Sequence, residues 1–406
     1  MKRRELLGLS AGFMASPAFA APQNKDDWEK IAALYPKRME KIINLEYGGF
    51  GQMPILVQEK FAQYSEKINR QGTYFVRREF YSYYQILREK IARMINADAS
   101  EIAITRNATE SMQALISGFN QLNPGDAVIY SDHDYENMQT VMEWLKTRRG
   151  VDVIKIALPY PATFQNLIDA YETAFKANPK TKMVLLTHLS HRDGLVLPIK
   201  EIIEMARHYG IHALVDSAKA MGLTPIDVKA QGIDFAGLNL HKWVGAPLGV
   251  GALYIKKDKI DLIDRFLGEI PNEKDPISSR IHTGTANYAA QLAAIDAIDL
   301  HNEIGIDRIN KRLKYLRNLW VEPLESSKKT IVITPDDDRL NAGISSFRLK
   351  DDNSPAAHAA LVQKLLNEYG IFSVLRVGLN AGACIRITPG VNSTEQDIKT
   401  LVKAIS

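Results

Sequence analysis

Three short segments between Ile211 and Ile255 decide the fold: IHALVDSAK (211–219), DFAGLNLHKW (234–243) and GALYI (251–255). The apolar run Ala213-Leu214-Val215 stops at Asp216. The second run leads into His241-Lys242, and a Gly-rich turn separates it from the third. Short apolar runs bounded by turn residues read as buried strands. Ligands of α/β sheets bind beyond the carboxyl ends of the strands. Asp216 and Lys242 are therefore expected to face one pocket, although an ion pair at a sheet edge would place the same two charges.

Upstream, strands are expected at Glu101–Thr105, Ala127–Tyr130, Val151–Ile156, Lys182–Thr187 and Ile211–Asp216. Helices are expected at Met112–Phe119, Glu136–Arg148, Phe164–Ala177 and Pro198–Tyr209. Alternation of this kind predicts an α/β fold with a mostly parallel, helix-covered sheet. Residues 26–46 and 55–97 carry helical periodicity and flank a Gly-rich loop at 44–54, which serves as a connector or approaches a ligand closely. Beyond Ile255 the order changes. A long helical stretch from Ala286 to about Glu325 breaks near Gly305. Strands at 330–334, 343–349, 371–377 and 383–388 then mix with helices at 355–368 and 393–405, which predicts a smaller α+β unit.

The 406 residues are 46% hydrophobic and 24% charged, with a net charge of +4, an ordinary globular composition for two domains. The scattered charge offers no nucleic-acid footprint. Past the N-terminus no apolar run approaches the length of a bilayer span. Lys2-Arg3-Arg4 followed by an apolar stretch and by Ala18-Phe19-Ala20 predicts a twin-arginine export signal cleaved near Ala20, hence the export machinery as a partner and a periplasmic protein. Cys384 is the single cysteine, so no intramolecular disulfide forms.

Arg106-Asn107-Ala108-Thr109-Glu110-Ser111 opens a helix. Its free N–H groups suit an anion, while Asn107 or Thr109 also reads as an ordinary cap. Other matches carry no chemistry. The G-x-S-x-G at Gly8–Gly12 lies inside the export signal, and His188 with His191 lacks a third ligand cluster, so no metal site is expected.

Taken in order, Asn107-Ala108-Thr109-Glu110, His133, Asp216-Ser217-Ala218-Lys219, His241-Lys242 and Gly284-Thr285 resemble the class V aminotransferase family. These are fold type I enzymes that use pyridoxal 5′-phosphate (PLP). The phrases at 187–198 and 241–247 are most similar to its isopenicillin-N-epimerase-like branch. The resemblance implies a large PLP-binding domain (46–295) with a seven-stranded type of sheet, a small domain (296–406), and a segment (21–45) packing with the latter. It implies Lys242 as the Schiff-base lysine and Asp216 at the pyridine nitrogen. Asn107, Ala108, Thr109 and His241 would hold the phosphate, and His133 or Tyr135 would stack on the ring. Thr285 would reach the neighbouring subunit of a homodimer. Arg386, with Arg376 nearby, would take the substrate carboxylate.

Two positions depart from the family's habit. Lys219 stands where members often carry Gln or His beside the cofactor's O3′, and His191 where many carry Asn. Cysteine desulfurases also place a catalytic cysteine in the loop matching Arg376–Gly382, which here has none. The resemblance therefore implies a PLP enzyme acting at the α-carbon of an amino acid or amino-acid moiety, first as an aminotransferase tailoring a secreted metabolite such as a peptide siderophore. An epimerase or a β-eliminating C–S lyase is the alternative, and a non-catalytic PLP-binding protein the reading from another class.

Overall fold

The computed structural model describes residues 25–282 and 284–406. The expected export signal lies outside the described residues.

The chain enters through helix α1 (Lys25–Ala32) and strand β1 (Ile43–Asn44), and continues through α2 (Ile55–Gln71), α3 (Thr73–Arg78) and α4 (Phe80–Met94). The helix expected over 26–46 thus ends early. Pro36 disfavours helical geometry in the residue before it, and Ile43 pairs in parallel with Ile371.

An alternating region follows: β2 (Ile102–Thr105), α5 (Ala108–Gly118), β3 (Ala127–Ser131), α6 (Glu136–Arg149), β4 (Asp152–Ile156), α7 (Phe164–Ala177), β5 (Thr181–Thr187), α8 (Ile199–His208), β6 (His212–Asp216), β7 (Phe235–Asn239) and β8 (Gly251–Ile255). These form one seven-stranded sheet in the order β2-β8-β7-β6-β5-β3-β4. All neighbours are parallel except β8, which runs antiparallel to both β7 and β2. The central strands β6, β7 and β8 are buried almost throughout, as a sheet covered on both faces requires. One covering helix, α8, buries Ile199, Ile202, Ile203 and Ala206, the spacing of a single helical face.

Helices α9 (Tyr288–Ile304) and α10 (Ile306–Leu324) are separated by Gly305, whose φ of 91° ends the first. Next come β9 (Thr330–Val332), β10 (Ser345–Leu349), α11 (Pro355–Tyr369), β11 (Ile371–Phe372), β12 (Val374–Arg376), β13 (Cys384–Ile387) and α12 (Glu395–Ile405). Four of these strands make an antiparallel sheet, β12-β13-β10-β9, while β11 pairs with β1. Trp320 of α10 is fully buried with its ring centroid 6.1 Å from that of Phe347. Truncating such a side chain costs about 3–5 kcal/mol. A single apolar cluster runs from Val215 and Leu238 under the large sheet to Trp320 and Phe347, so the two sheets share a core. The site lies where the carboxyl ends of β5, β6 and β7 meet β12 and β13.

Candidate active site

A cavity of about 470 Å³ gathers residues from both sheets. One end is the start of α5. Asn107 caps it, its Oδ1 accepting from the Glu110 N–H at 2.9 Å. Gly251 lets β8 approach, because a β-carbon there would stand 2.7 Å from the Asn107 Cα. The Ala108 N–H, expected to be free for an anion, donates instead to Asn239 Oδ1 at 2.8 Å. Thr109 lines the cavity, and no described residue hydrogen-bonds its N–H or hydroxyl. Arg106 stands at the exposed rim, paired with Glu110 at 3.0 Å.

Asp216 ends β6 inside the cavity. The Ala218 N–H donates to its Oδ1 at 2.9 Å, and its other oxygen accepts nothing from the described residues. Burial raises its pKa, against the Ala218 hydrogen bond and the charges of Lys242 and Lys219. Lys242 follows β7. Burial lowers its amine from the ordinary lysine value to about 8, with the Asp216 carboxylate pulling the other way. Each side chain feels the other's charge, yet they form no direct ion pair. Lys219 lines the same cavity, 8% exposed, and its Nζ donates to the Gly48 carbonyl. Burial, then the charges of Arg386 and Lys242, hold its pKa well below that of a free lysine. His241 Nδ1 lies 3.1 Å from the Val250 carbonyl. Burial lowers its pKa. The neutral ring therefore donates from Nδ1, and Nε2 donates to an anion only after protonation.

Of the two candidate stacking rings, Tyr135 lines the cavity and His133 does not. His133 is buried behind it with both nitrogens engaged, 2.9 Å from Asp132 Oδ1 and 2.9 Å from Asp193 Oδ2. Burial alone would lower the His133 pKa, but the two carboxylates outweigh it and raise it to about 10. His133 is a buried cation between two anions rather than a ring face, because its own loop and Asp193 enclose it. His191 does line the cavity, edge-on to Tyr135 with ring centroids 5.3 Å apart. Burial lowers its pKa to about 3, so it is neutral 3.0 Å from Glu136 Oε2.

Arg376 and Arg386 reach the cavity from β12 and β13. Arg386 is fully buried, and Glu46 accepts from its Nε at 3.2 Å and from its NH2, while NH1 donates to the His191 carbonyl. Arg376 NH2 also donates to Glu46, at 3.3 Å. Thr285 is exposed and does not line this cavity. Sequence reasoning missed Glu46, Glu136 and Asn239. Asn239 carried a usable signal, a polar residue ending β7 as Asp216 ends β6. Glu46 and Glu136 carried none.

A helix start with a free threonine, a buried carboxylate with one unengaged oxygen, an amine held toward neutrality and an aromatic ring together suit a phosphorylated pyridine aldehyde. With the sheet order, they define a fold type I PLP-dependent enzyme. The chain belongs to the aminotransferase class-V family, whose model matches residues 45–401, and its cofactor is PLP. Isopenicillin N epimerase of Streptomyces clavuligerus is 26% identical over 93% of this chain and 98% of its own. A cysteine desulfurase of Haloferax volcanii is 26% identical over 84% and 82%. The crystal structure of an Escherichia coli cysteine desulfurase superposes with a TM-score of 0.78 at 22% identity, over 93% of this chain and 97% of its own, which shows the shared fold.

Proposed function

We propose that this protein removes the α-proton of an amino acid, or of an amino-acid group within a larger molecule, and supplies a new proton to the opposite face of the same carbon, inverting its configuration. The observation that carries this reading is the second amine. Lys219 and Lys242 each stand three residues past a strand end, on adjacent strands β6 and β7, and line one cavity. Inversion at one carbon is served by one group that removes a proton and another that supplies one. None of the relatives named above carries an aminotransferase name, so epimerisation displaces transamination as the favoured chemistry.

When bound, PLP withdraws electrons from the substrate α-carbon and acidifies its proton. The chain's own residues do the rest. Thr109 and Asn107 would hold the phosphate at the helix start, with His241 beside it. Asp216 would pair with the ring nitrogen, Tyr135 would cover the ring, and Lys242 would anchor the aldehyde carbon. A neutral Nζ of one lysine takes the α-proton, and the ammonium of the other supplies one.

Cysteine-based desulfuration does not suit this chain. Cys384 is buried, and burial pushes its thiol up to about 12, so almost no thiolate forms at neutral pH. Chiral chromatography of single-enantiomer amino acids incubated with the holoenzyme in D2O tests the proposal. The expected outcome is deuterium at Cα with loss of optical purity. Keto acid formed in step with conversion of the cofactor to its amino form would restore the aminotransferase reading instead.

We further propose a periplasmic homodimer in which Thr285 reaches the partner's cavity. Arg3→Lys with Arg4→Lys should retain the protein in the cytoplasm, and cell fractionation reads the result. Unchanged export of that variant would refute the twin-arginine route.

A further inference from the structure

Asp134 has no part in the chemistry above, yet it stands directly behind the cavity wall. It is fully buried. Its Oδ2 accepts from the Ser131 N–H at 2.6 Å and from the Ser131 hydroxyl at 3.1 Å. Its Oδ1 accepts from the Thr187 hydroxyl at 2.7 Å. Among the described residues no cation pairs with it, because its neighbour His133 is taken by Asp132 and Asp193. Burial raises its pKa from 3.8 to about 6, against these hydrogen bonds, and the Asp216 carboxylate adds to the rise. The other titratable groups that feel its charge, Tyr130 of β3 and Tyr171 of α7, are held neutral, chiefly by burial. A buried acid without a cation works against the fold, so stability does not account for its place.

Thr187 joins this acid to the cavity. It ends β5, lines the cavity, and is the register partner of Asp216 at the end of β6. A hydroxyl has one hydrogen and two lone pairs. With Asp134 ionised, that hydrogen is committed to Oδ1, and Thr187 has only lone pairs for its other neighbours. With Asp134 protonated the order reverses. The Ser131 N–H keeps Oδ2 an acceptor, so the proton sits on Oδ1 and is donated to the Thr187 oxygen. The Thr187 hydrogen then turns elsewhere. Asp134 therefore decides whether an acceptor or a donor faces the cavity beside Asp216.

We propose that Asp134 is a positioning residue which, by holding the Thr187 hydroxyl as an acceptor beside Asp216, keeps the ring nitrogen of the bound cofactor protonated. The inference rests on the placement of Asp216 at that nitrogen. Acceptors and negative charge around a nitrogen base favour its protonated form, and the protonated ring is the stronger electron sink. A donor in the place of the Thr187 acceptor would favour the neutral ring. Asp134 does not itself line the cavity, so it acts through Thr187.

The test is solid-state nitrogen-15 NMR of the holoenzyme loaded with ring-labelled PLP and read across pH, because the ring-nitrogen shift reports protonation rather than turnover. In wild type the nitrogen should be protonated at neutral pH. Asp134→Asn keeps the shape but sets an amide donor against the Thr187 oxygen. It should lower the midpoint of nitrogen deprotonation by about one pH unit or more. Thr187→Val should lower it as well, while Thr187→Ser should match wild type. Adding Asp134→Asn to Thr187→Val should change little further, because the relay is already cut. An unchanged midpoint in Asp134→Asn or in Thr187→Val overturns the proposal. Fully additive shifts in the double variant overturn it equally, since Asp134 would then act as a remote charge. If Asp134→Asn does not take up PLP, Thr187→Val and Thr187→Ser decide alone, and equal midpoints in those two overturn the proposal. Asp216→Asn separates failure of the underlying reading. It should lose the ring proton, and a ring still protonated in that variant would refute the placement of Asp216 and the proposal with it.

Discussion

The Gly51 N–H donates to the His241 carbonyl at 3.0 Å, and a β-carbon on Gly51 would stand 1.8 Å from the carbonyl oxygen of Lys242. The Gly-rich loop at 44–54 is thus packed directly against the backbone of the anchoring lysine. Gly51→Ala should push the Lys242 segment out of place, destabilising the protein by about 1–3 kcal/mol as overpacking does. Cofactor content should fall with it. Thermal melting and cofactor absorbance check both, and a variant with wild-type melting and full cofactor would show that the segment yields easily.

The Lys242 amine, lowered by burial to about 8, must be neutral to attack the cofactor's aldehyde. The rate of PLP uptake by the apoprotein should therefore rise about tenfold per pH unit below 8 and level off above it. Stopped-flow absorbance measures this. A midpoint near the ordinary lysine value of 10.5 would contradict the desolvated environment.

His133 should be a structural residue. Its pKa is raised in the fold from 6.5 to about 10. The stability it contributes is then fully present below 6.5 and is lost as pH rises through about 10. His133→Gln leaves Asp132 and Asp193 without their buried cation, at a cost of about 3–5 kcal/mol near neutral pH. The gap between variant and wild type should narrow above pH 10, read by chemical denaturation. Tyr135→Ala should instead weaken PLP affinity with little change in apoprotein melting. Reversed effects would return His133 to the ring face.

Cys384→Ala should retain most of the activity, and the wild-type thiol should resist alkylation at pH 8. The cysteine lies in β13, where its Sγ meets the Arg192 carbonyl at 3.6 Å. Rapid labelling with loss of activity would bring a cysteine-dependent mechanism back.

What could be read from the chain beforehand followed a physical rule. Asp216, Asn107 and Lys242 announced themselves because each sits where a local pattern stops, at a strand end or a helix start. The alternation of β2 to β7 with helices was legible for the same reason. The environment of those residues was not. Glu46 and Arg386 are 340 positions apart in the chain, and no periodicity links them. Asn239 reaches Ala108 across 131 positions, so an anion donor expected to be free is occupied. The choice between His133 and Tyr135 turned on which way one short loop faces, which depends on Asp193 in a different loop.

In the proposed inversion one lysine removes the α-proton and the other supplies a new one to the opposite face. Deuterium incorporation and configuration at Cα, measured together in D2O for wild type and Lys219→Met, test it most directly. Wild type should exchange and invert both enantiomers, while Lys219→Met should exchange only the enantiomer whose α-hydrogen faces Lys242, and with retention of configuration. Inversion by Lys219→Met at the wild-type rate would contradict it.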